Sequence, residues 1–414
     1  MVTRHPSIRL AAALAGLAAA PGLAACVSAS LGEPVEGVFD LRTGRTVAFQ
    51  SMVEDLATVP MVFVGESHTN PEHHEIQRRI VDALSSRNPR VMVGLEMLQR
   101  PYQDVLDRWS EGGMDEGEFL REVHWFDQWS DWDLYAPILR LARDRRLRVV
   151  GLHLPDLGPG GAISREIAKS GLDGLPPWMR ARLPAAIDTS NRAQRAALRG
   201  IFQSHPGMKF DEQRFDRFIQ SQCTWDETMA ESTADALAAA PRGSAIVVLA
   251  GSMHVKDFYP IPERARRRNG LAYRTVLPME RDSFPEGGLP VGMGRPADYV
   301  LFTGPSPEVQ PGRVGLGLRG GDSTVNVVAP GSAAEEAGIR AGDVLLSVDG
   351  HPILDEVDLR VALDPLAEGA EVRLRWRRGD EVREAAARLR APPPMLPPAP
   401  APKETKPAEG EPGR

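Results

Sequence analysis

The sequence predicts an α/β domain with a mainly parallel sheet and flanking helices, followed by a small β-rich domain. Two observations predict this fold class. Between about residues 40 and 285, short apolar runs that are rich in β-branched residues and nearly free of charge alternate with amphipathic stretches. From residue 313 to 390 the chain changes to short strand patterns separated by turn residues.

The individual elements follow from the same patterns. Each predicted strand is a buried-type apolar run that ends at polar or glycine residues, and each predicted helix repeats apolar residues at intervals of three and four. Asn70 and Pro71 mark one helix start, because Asn caps the first turn and Pro fits the first helical position. The strands are predicted at 61–65, 91–96, 147–152 and 245–251, and the helices at about 71–86, 134–146, 191–204 and 211–240.

Composition and charge narrow the classes of function. The 414 residues are enough for two or three domains, and the formal net charge is −7. A chain without a general basic field is not expected to bind nucleic acid. The two cysteines, Cys26 and Cys223, exclude a disulfide framework, and we expect Cys223 to be a small buried apolar residue. Beyond the first 30 positions no apolar run is long enough to span a membrane.

The first 26 residues have the pattern of a secretory signal. A basic start precedes an apolar stretch at 10–20, and small residues stand directly before Cys26. This end resembles the lipobox of bacterial lipoproteins, which implies acylation of Cys26 and a membrane anchor. An ordinary cleaved signal with an incidental cysteine is the alternative. We expect an envelope location, at the outer membrane facing the periplasm in a diderm host, because no Asp follows Cys26.

Composition also divides the chain into segments. Glycine and proline concentrate between the two predicted domains, and nine prolines occur in the last 24 residues. The predicted segments are a signal peptide (1–25), a lipidated linker (26–40), the α/β domain (41–285), a Gly/Pro linker (286–312), the β-rich domain (313–390) and a disordered Pro-rich tail (391–414).

Polar side chains follow four predicted strands at their carboxyl ends. Because ligands of an open parallel sheet bind outside this edge, we expect Glu66, His68, Glu96, His153 and His254 to converge there. His68, Glu96 and His254 are suitable ligands for zinc or manganese. Together with Glu66, the same residues are also suited to metal-free acid–base catalysis. The structural alternative is that each histidine only satisfies backbone groups at a strand end.

Two neighbouring segments also leave alternatives open. His73 and His74 lie in the first turn of the helix at 71–86, and His73 shares with Gln77 a face that either projects toward the predicted site or is solvated. Residues 125–135 hold three of the seven tryptophans. They form either an aromatic wall for a flat apolar ligand or a set of side chains that fills the core beneath a loop.

Several ordered motifs run through the α/β region. They are residues 64–68 (VGESH), His74 and Gln77, residues 94–97 (GLEM), Trp132, residues 135–138 (YAPI) and residues 250–254 (AGSMH). Together they resemble the ChaN family over roughly residues 45–280. That family consists of haem-binding lipoproteins linked to iron uptake, and its superfamily also contains the Tiki metalloproteases and erythromycin-esterase-like enzymes.

The resemblance implies a haem site with a tyrosine ligand and cofacial haems between two protomers, hence a homodimer. Tyr135 lies in the matching motif and is the first candidate ligand, and Tyr259 and His74 are further candidates. The likeness to the Tiki metalloproteases implies instead a metal site at His68, His254 and either Glu66 or Glu96. The first implication predicts haem carriage, and the second predicts hydrolysis.

The β-rich region begins with the loop Gly315-Leu316-Gly317-Leu318 and continues with short strand patterns and a helix near 356–363. This order resembles PDZ domains of the bacterial kind. The resemblance implies that the backbone amides of the loop bind a terminal carboxylate, while a partner's C-terminal peptide adds as a strand to an open edge. A domain used only for packing or dimerisation is the alternative.

These observations lead to three hypotheses about function. The leading one is an envelope lipoprotein that binds haem for iron acquisition or haem handling, with the PDZ-like domain docking a partner's C-terminus. The alternative is a metal-dependent hydrolase or peptidase that uses the paired G-x-x-H motifs. The third is a non-catalytic scaffold.

Overall fold

The architecture was analysed in a computed structural model of the chain. It describes residues 37–155, 161–203, 210–283, 294–307 and 311–391. The predicted signal peptide, Cys26 and nearly all of the Pro-rich tail lie outside these residues. Within them, no helix is long and apolar enough to cross a membrane.

A large sheet forms the centre of the α/β domain. Its strand order is β2-β1-β8-β7-β3-β6-β4-β5, and every neighbouring pair from β8 to β5 is parallel, whereas β1 pairs antiparallel with both β2 and β8. The predicted mainly parallel sheet is therefore confirmed. The strands are β1 (Val38–Asp40), β2 (Arg45–Val47), β3 (Met61–Glu66), β4 (Val91–Gln99), β5 (Val149–His153), β6 (Ala245–Gly251), β7 (Tyr273–Glu280) and β8 (Tyr299–Thr303).

Helices cover both faces of this sheet. Alternate residues of β3 face two separate cores, with Val62 and Val64 in one and Met61 and Phe63 in the other. Burial on both faces explains why the central strands are continuous apolar runs. The helices are α1 (Phe49–Leu56), α2 (Pro71–Ser85), α3 (Gln103–Ser110), α4 (Glu116–Glu122), α5 (Trp125–Gln128), α6 (Trp132–Asp144), α7 (Ala162–Ser170), α8 (Pro177–Arg180), α9 (Arg192–Gln203), α10 (Glu212–Ala239) and α11 (Ile261–Asn269).

Helix α2 shows how local sequence places a helix next to the site. The Asn70 side chain accepts a hydrogen bond from the Glu72 backbone N–H at 3.0 Å, and Pro71 occupies the first turn. This cap fixes the start of α2 directly after the end of β3. Ile76 and Ile80 then pack into the core beneath the helix.

Two of the predicted segment boundaries need correction. The predicted linker at 286–312 contains β8, which lies in the large sheet between β1 and β7. The predicted linker at 26–40 likewise contains β1. Composition places a short apolar strand near a Gly/Pro-rich stretch in the linker, although pairing with distant strands determines its structure.

The second domain is small and β-rich, as predicted. Its core is built around Leu345, Leu359, Leu374 and Trp376. Two sheets form, with strand orders β10-β9 and β12-β11-β13-β14. The elements are β9 (Leu316–Leu318), β10 (Val325–Val328), α12 (Ala333–Glu336), β11 (Val344–Val348), β12 (His351–Pro352), α13 (Glu356–Leu363), β13 (Glu371–Arg378) and β14 (Glu381–Arg388).

Candidate functional site

Three adjacent strands bring the predicted site residues to one edge of the large sheet. Strand β6 lies between β3 and β4, and Glu66 is paired in register with Gly251. Glu66 ends β3, Glu96 lies near the end of β4, and His254 lies in a 3-10 turn that directly follows β6. The sheet topology therefore brings Glu66, Glu96 and His254, which are far apart in the sequence, to one edge of the sheet.

A first cluster surrounds the buried carboxylate of Glu66. His68 Nδ1 lies 2.7 Å from Glu66 Oε1, His74 Nδ1 lies 3.0 Å from Oε2, and the Tyr135 hydroxyl donates to Oε1 at 2.9 Å. Burial alone would raise the pKa of Glu66, but the charges of His74 and His68 and the hydrogen bonds of His68 and Tyr135 outweigh it and lower the pKa. Glu66 is therefore held ionised, and it fixes the orientation of the His68 ring.

A second cluster surrounds His254. The His254 Nδ1–H donates to Asp226 Oδ1 at 2.7 Å, and Nε2 lies 3.5 Å from Glu96 Oε1. Gln194 Nε2 donates to Asp226 Oδ2 at 2.6 Å and fixes that carboxylate. Burial disfavours the charged imidazole, but the charge of Glu96 and the charge and hydrogen bond of Asp226 raise the pKa of His254 to about 9. At neutral pH His254 is consequently a cation between two carboxylates.

Gly251 brings the two clusters into contact. Its backbone N–H donates to Glu96 Oε2 at 2.7 Å. A methyl group at this position would lie 3.1 Å from His68 Nε2 and 3.6 Å from Glu96 Oε2. Such a methyl group would make a tight contact, so glycine eases the close approach of His68 to the end of β6.

Both clusters border a cavity of about 950 Å³. Trp129, Trp225, Met97 and Met253 supply apolar walls, and the ring of His68 lies 5.2 Å from that of Trp129 in an edge-on arrangement. A wall of this kind suits a flat apolar ligand, while a few polar groups fix its orientation. The polar lining includes His68, Glu96, Tyr102, His153 and His254.

The predicted haem ligands do not lie in this lining. Tyr135 is 1% exposed and its hydroxyl is donated to Glu66, and burial together with the Glu66 charge raises the pKa of Tyr135 well above its usual value. A phenol that is buried and bound to Glu66 in this way is not presented to a ligand in the cavity. His74 is buried and donates from Nε2 to the His68 carbonyl oxygen at 3.1 Å. Tyr259 donates to Asp257 at 3.1 Å and also lies outside the lining.

Other predicted residues fill structural positions. His73 accepts from the Ser67 N–H at 2.8 Å, and its Nε2 lies 3.0 Å from Thr303 Oγ1, so it links α2 to β8. Burial and the nearby His74 lower the pKa of His73 to about 4. Gln77 donates to the Val64 carbonyl oxygen at 3.4 Å and does not line the cavity.

The aromatic segment at 125–135 both fills the core and lines the cavity, through different side chains. Trp125 and Trp132 are buried and pack edge to face with ring centroids 5.0 Å apart. Trp129 between them lines the cavity. His153 also lines the cavity, and its Nδ1–H donates to the Leu154 carbonyl oxygen at 3.0 Å, while burial lowers its pKa.

Sequence reasoning missed Asp226, Gln194 and Tyr102. Asp226 is a buried acid inside α10, and its sequence neighbours carry no pattern that separates it from a solvated helical charge. Tyr102 follows β4, and no hydrogen-bond partner of its hydroxyl is found in the described part of the chain. The position after a strand end was the available signal for Tyr102. Cys223, in contrast, is buried as predicted, and burial raises its pKa to about 12.

The geometry gives no support to the predicted zinc or manganese site. Among the described residues, no group of three or more His, Cys, Asp or Glu side chains is arranged to hold a metal ion. The reason is that the side chains bind one another: His68 binds Glu66, His254 binds Asp226, and Glu96 accepts from a backbone amide.

Comparison with known families identifies the α/β region. A family model described as "Haem-binding uptake, Tiki superfamily, ChaN" matches residues 52–265, more than half of the chain. The chain belongs to the ChaN family. A PDZ domain model matches residues 324–378, so the ChaN domain is followed by a PDZ domain. Among proteins with a curated description, none matches the chain significantly.

Several solved structures are similar to parts of the chain. "Cofacial heme binding to ChaN of Campylobacter jejuni" is 21% identical, covers 64% of this chain and 95% of its own, and has a TM-score of 0.49. A mutant of the erythromycin esterase EreC is 17% identical over 62% of this chain and 78% of its own, with a TM-score of 0.35. A serine endoprotease from Yersinia pestis is 21% identical over 20% of this chain and 30% of its own, with a TM-score of 0.19.

The PDZ domain presents the predicted loop and an open strand edge. Gly315 has φ +74°, and a methyl group there would lie 2.3 Å from Ser332 Cβ, so both its backbone conformation and its packing require glycine. Strand β9 is paired with β10, and no other described strand pairs with it. Its remaining edge has backbone groups available to an added strand.

Proposed function

We propose that the ChaN domain binds haem in the cavity at the carboxyl edge of its sheet. The observation that carries this proposal is the cavity of about 950 Å³, which combines tryptophan walls with imidazole and phenol donors. A porphyrin needs flat apolar walls and an axial nitrogen or oxygen donor, and this lining has both. The family membership of residues 52–265 supports the same ligand.

His68 is the best-placed donor for the iron. Its side chain is 43% exposed, and Nδ1 is engaged by Glu66, so that Nε2 is the nitrogen available to a metal. A carboxylate partner orients a ligating imidazole and increases its basicity. Tyr102 is the second donor, because its side chain lines the cavity. When bound, the ferric iron supplies a Lewis-acid centre for one of these donors.

Titration of the purified protein with hemin is expected to give a saturable, stoichiometric shift of the Soret band. His68→Ala should weaken the affinity by about ten-fold or more and move the Soret maximum, because the axial donor changes. His351→Ala is the matched control, since His351 is exposed in the PDZ domain. Tyr135→Phe should leave the maximum unchanged, because the Tyr135 hydroxyl is donated to Glu66.

The same titration also separates the remaining outcomes. An absorbance rise that never saturates in the wild-type protein would contradict haem binding. A saturable shift that survives His68→Ala but changes in Tyr102→Phe would assign the iron to Tyr102 and overturn the assignment to His68.

The arrangement around His254 favours a second candidate function, metal-free hydrolysis. His254, charged at neutral pH between Glu96 and Asp226, is suited to donate a proton to a leaving group. A protein that fails to bind hemin but cleaves a p-nitrophenyl ester, and loses this activity in His254→Ala, would favour hydrolysis over haem carriage.

The PDZ domain is proposed to dock the C-terminal peptide of a partner protein. The open edge of β9 and the glycine-containing loop at 315–318 support this role. A peptide with a free C-terminal carboxylate, selected from a random library, should bind about ten-fold or more tightly than the same peptide with a C-terminal amide, because the loop amides pair with the carboxylate. Equal binding of both forms would reject carboxylate recognition and leave a packing role.

The cellular setting is part of the proposal. We propose an acylated envelope lipoprotein, anchored through Cys26 at the outer membrane of a diderm host, that handles haem for iron acquisition. The small residues before Cys26 and the apolar stretch at 10–20 support the anchor. Pairing of two protomers stays a prediction from the family resemblance.

A further inference from the structure

The PDZ domain contacts the ChaN domain through helix α13. Arg121 of α4 donates from Nε to Asp355 Oδ2 at 2.6 Å and from Nη2 to Asp358 Oδ1 at 2.7 Å. Val357 and Val361 of α13 pack against the core of the ChaN domain. Charged and apolar contacts thus fix the same helix.

Helix α13 and Asp364, the residue that follows it, also contact residues 125–133, which we call the cavity wall. The Arg360 guanidinium lies over the ring of Phe126, 5.8 Å from its centroid. The Asp133 backbone N–H donates to Asp364 Oδ2 at 3.1 Å. Contacts to the PDZ domain therefore occur near both ends of the cavity wall.

The opposite side of the cavity wall borders the candidate site. Asp127, Gln128 and Trp129 line the cavity, and Gln128 accepts a hydrogen bond from Gln99 of β4. The Trp129 ring contacts that of His68 with centroids 5.2 Å apart. One short segment consequently lies between α13 and the proposed haem donor.

One residue of the cavity wall and the residue directly before it have a left-handed backbone. His124 has φ 51° and Asp131 has φ 56°, and neither is glycine. Left-handed residues of this kind persist where surrounding contacts stabilise them. These two residues precede α5 and α6, and neither side chain caps its helix. The contacts with α13 add support from the PDZ domain to that of Trp125 and Trp132, which are buried in the core of the ChaN domain.

We propose that α13 of the PDZ domain holds the cavity wall in place, so that the PDZ domain sets the affinity of the cavity for its ligand. By reciprocity, a ligand in the cavity strengthens the contact between the two domains. The effect on affinity rests on the proposed haem function. The effect on the cavity wall does not, because it follows from protein contacts alone.

Hydrogen exchange on the full chain tests this proposal. The double variant Asp358→Ala, Arg360→Ala removes one acid and one arginine from the face of α13 that contacts the ChaN domain. Amide exchange of residues 125–133 is expected to become on the order of ten-fold faster. The control is Arg373→Ala with Glu384→Ala on the exposed β13–β14 hairpin. It also removes one acid and one arginine, and it should leave the exchange of residues 125–133 unchanged.

Each result decides a stated part of the proposal. Faster exchange of α13 with unchanged exchange of 125–133 would overturn support of the cavity wall. If the double variant also loses protection in β13, Arg121→Ala, on the other side of the contact, gives the same test. The hemin affinity of the double variant should fall by about five-fold or more. An unchanged affinity together with faster exchange of residues 125–133 would overturn the proposal that the PDZ domain sets the affinity. Absence of hemin binding in the wild-type protein would reject the haem function, while the exchange result still decides the support of the cavity wall.

Discussion

Glu66→Gln is expected to lower the free energy of unfolding by about 3 kcal/mol, because it removes the carboxylate from a buried ionic cluster. The Glu66 side chain is fully buried, and His68, His74 and Tyr135 all contact it. Glutamine keeps the shape of the side chain but leaves the histidines without their counter-charge. Urea unfolding measures the loss of stability. NMR titration should show a lower pKa for His68, since the hydrogen bond and the charge of Glu66 that raise it are lost and only the charge of Glu96 still opposes burial.

The difference in unfolding free energy between wild type and Glu66→Gln should depend on pH, because the pKa of Glu66 is lowered in the folded protein. The pKa of Glu66 is lowered below 4.5, so its stabilisation is present above pH 4.5 and is lost as the pH falls through the pKa in the folded protein. The difference in the free energy of unfolding between wild type and variant should therefore become smaller at acidic pH. Glu75→Gln is the control, because Glu75 pairs with Arg78 at the surface and should change stability by less than about 1 kcal/mol. Equal losses in both variants would contradict the central role of Glu66.

Gly151→Ala should destabilise the ChaN domain by about 3 kcal/mol and lower its melting temperature by about 10 °C. A methyl group at Gly151 in β5 would lie 2.5 Å from the Gln99 carbonyl oxygen and 3.1 Å from the Arg100 backbone nitrogen. Both are backbone atoms, so no side-chain rotation relieves the clash. Strand β5 would have to move away from the end of β4, where Glu96 lies.

Thermal unfolding of Gly200→Ala provides the comparison. Gly200 lies inside helix α9, and a methyl group there would meet nothing within 4 Å. Alanine is the better helix former, so this variant should gain about 0.5–1 kcal/mol. A Gly151→Ala protein that melts as high as Gly200→Ala would show that β4 and β5 are not packed as closely as the structure places them.

The predictability of each element depended on whether its pattern was local. Strand β6 was predicted with both of its observed ends, since a run buried on two faces is apolar throughout. Helix α10 was predicted at 211–240 and observed at Glu212–Ala239 because its apolar repeat is long. Strands β1 and β8 were missed, because they are short and their structure depends on pairing with each other and with β2 and β7.

The site divides in the same way. Glu66, His68, Glu96 and His254 follow apolar strands, so the rule for parallel sheets located them. The direction in which a side chain points does not follow from that rule. Tyr135 occupies the motif that the family resemblance marks, yet its position on α6 directs its hydroxyl to Glu66. Asp226 acts on His254 across nearly thirty positions of chain, and only the folded geometry brings the two together.

The strand order affects how the chain folds during synthesis or export. Strand β3 pairs with β6 and β7, whose residues follow roughly 180 and 210 positions later, and β1 pairs with β8 from the other end of the domain. Such distant partners favour slow folding. During synthesis or export from the amino terminus, the edges of β3 and β1 stay unsatisfied until residues near Gly251 and Thr303 emerge. The PDZ domain follows β8 closely in the chain, so the two domains complete their folding at nearly the same time. Until then the apolar strands must be protected from aggregation.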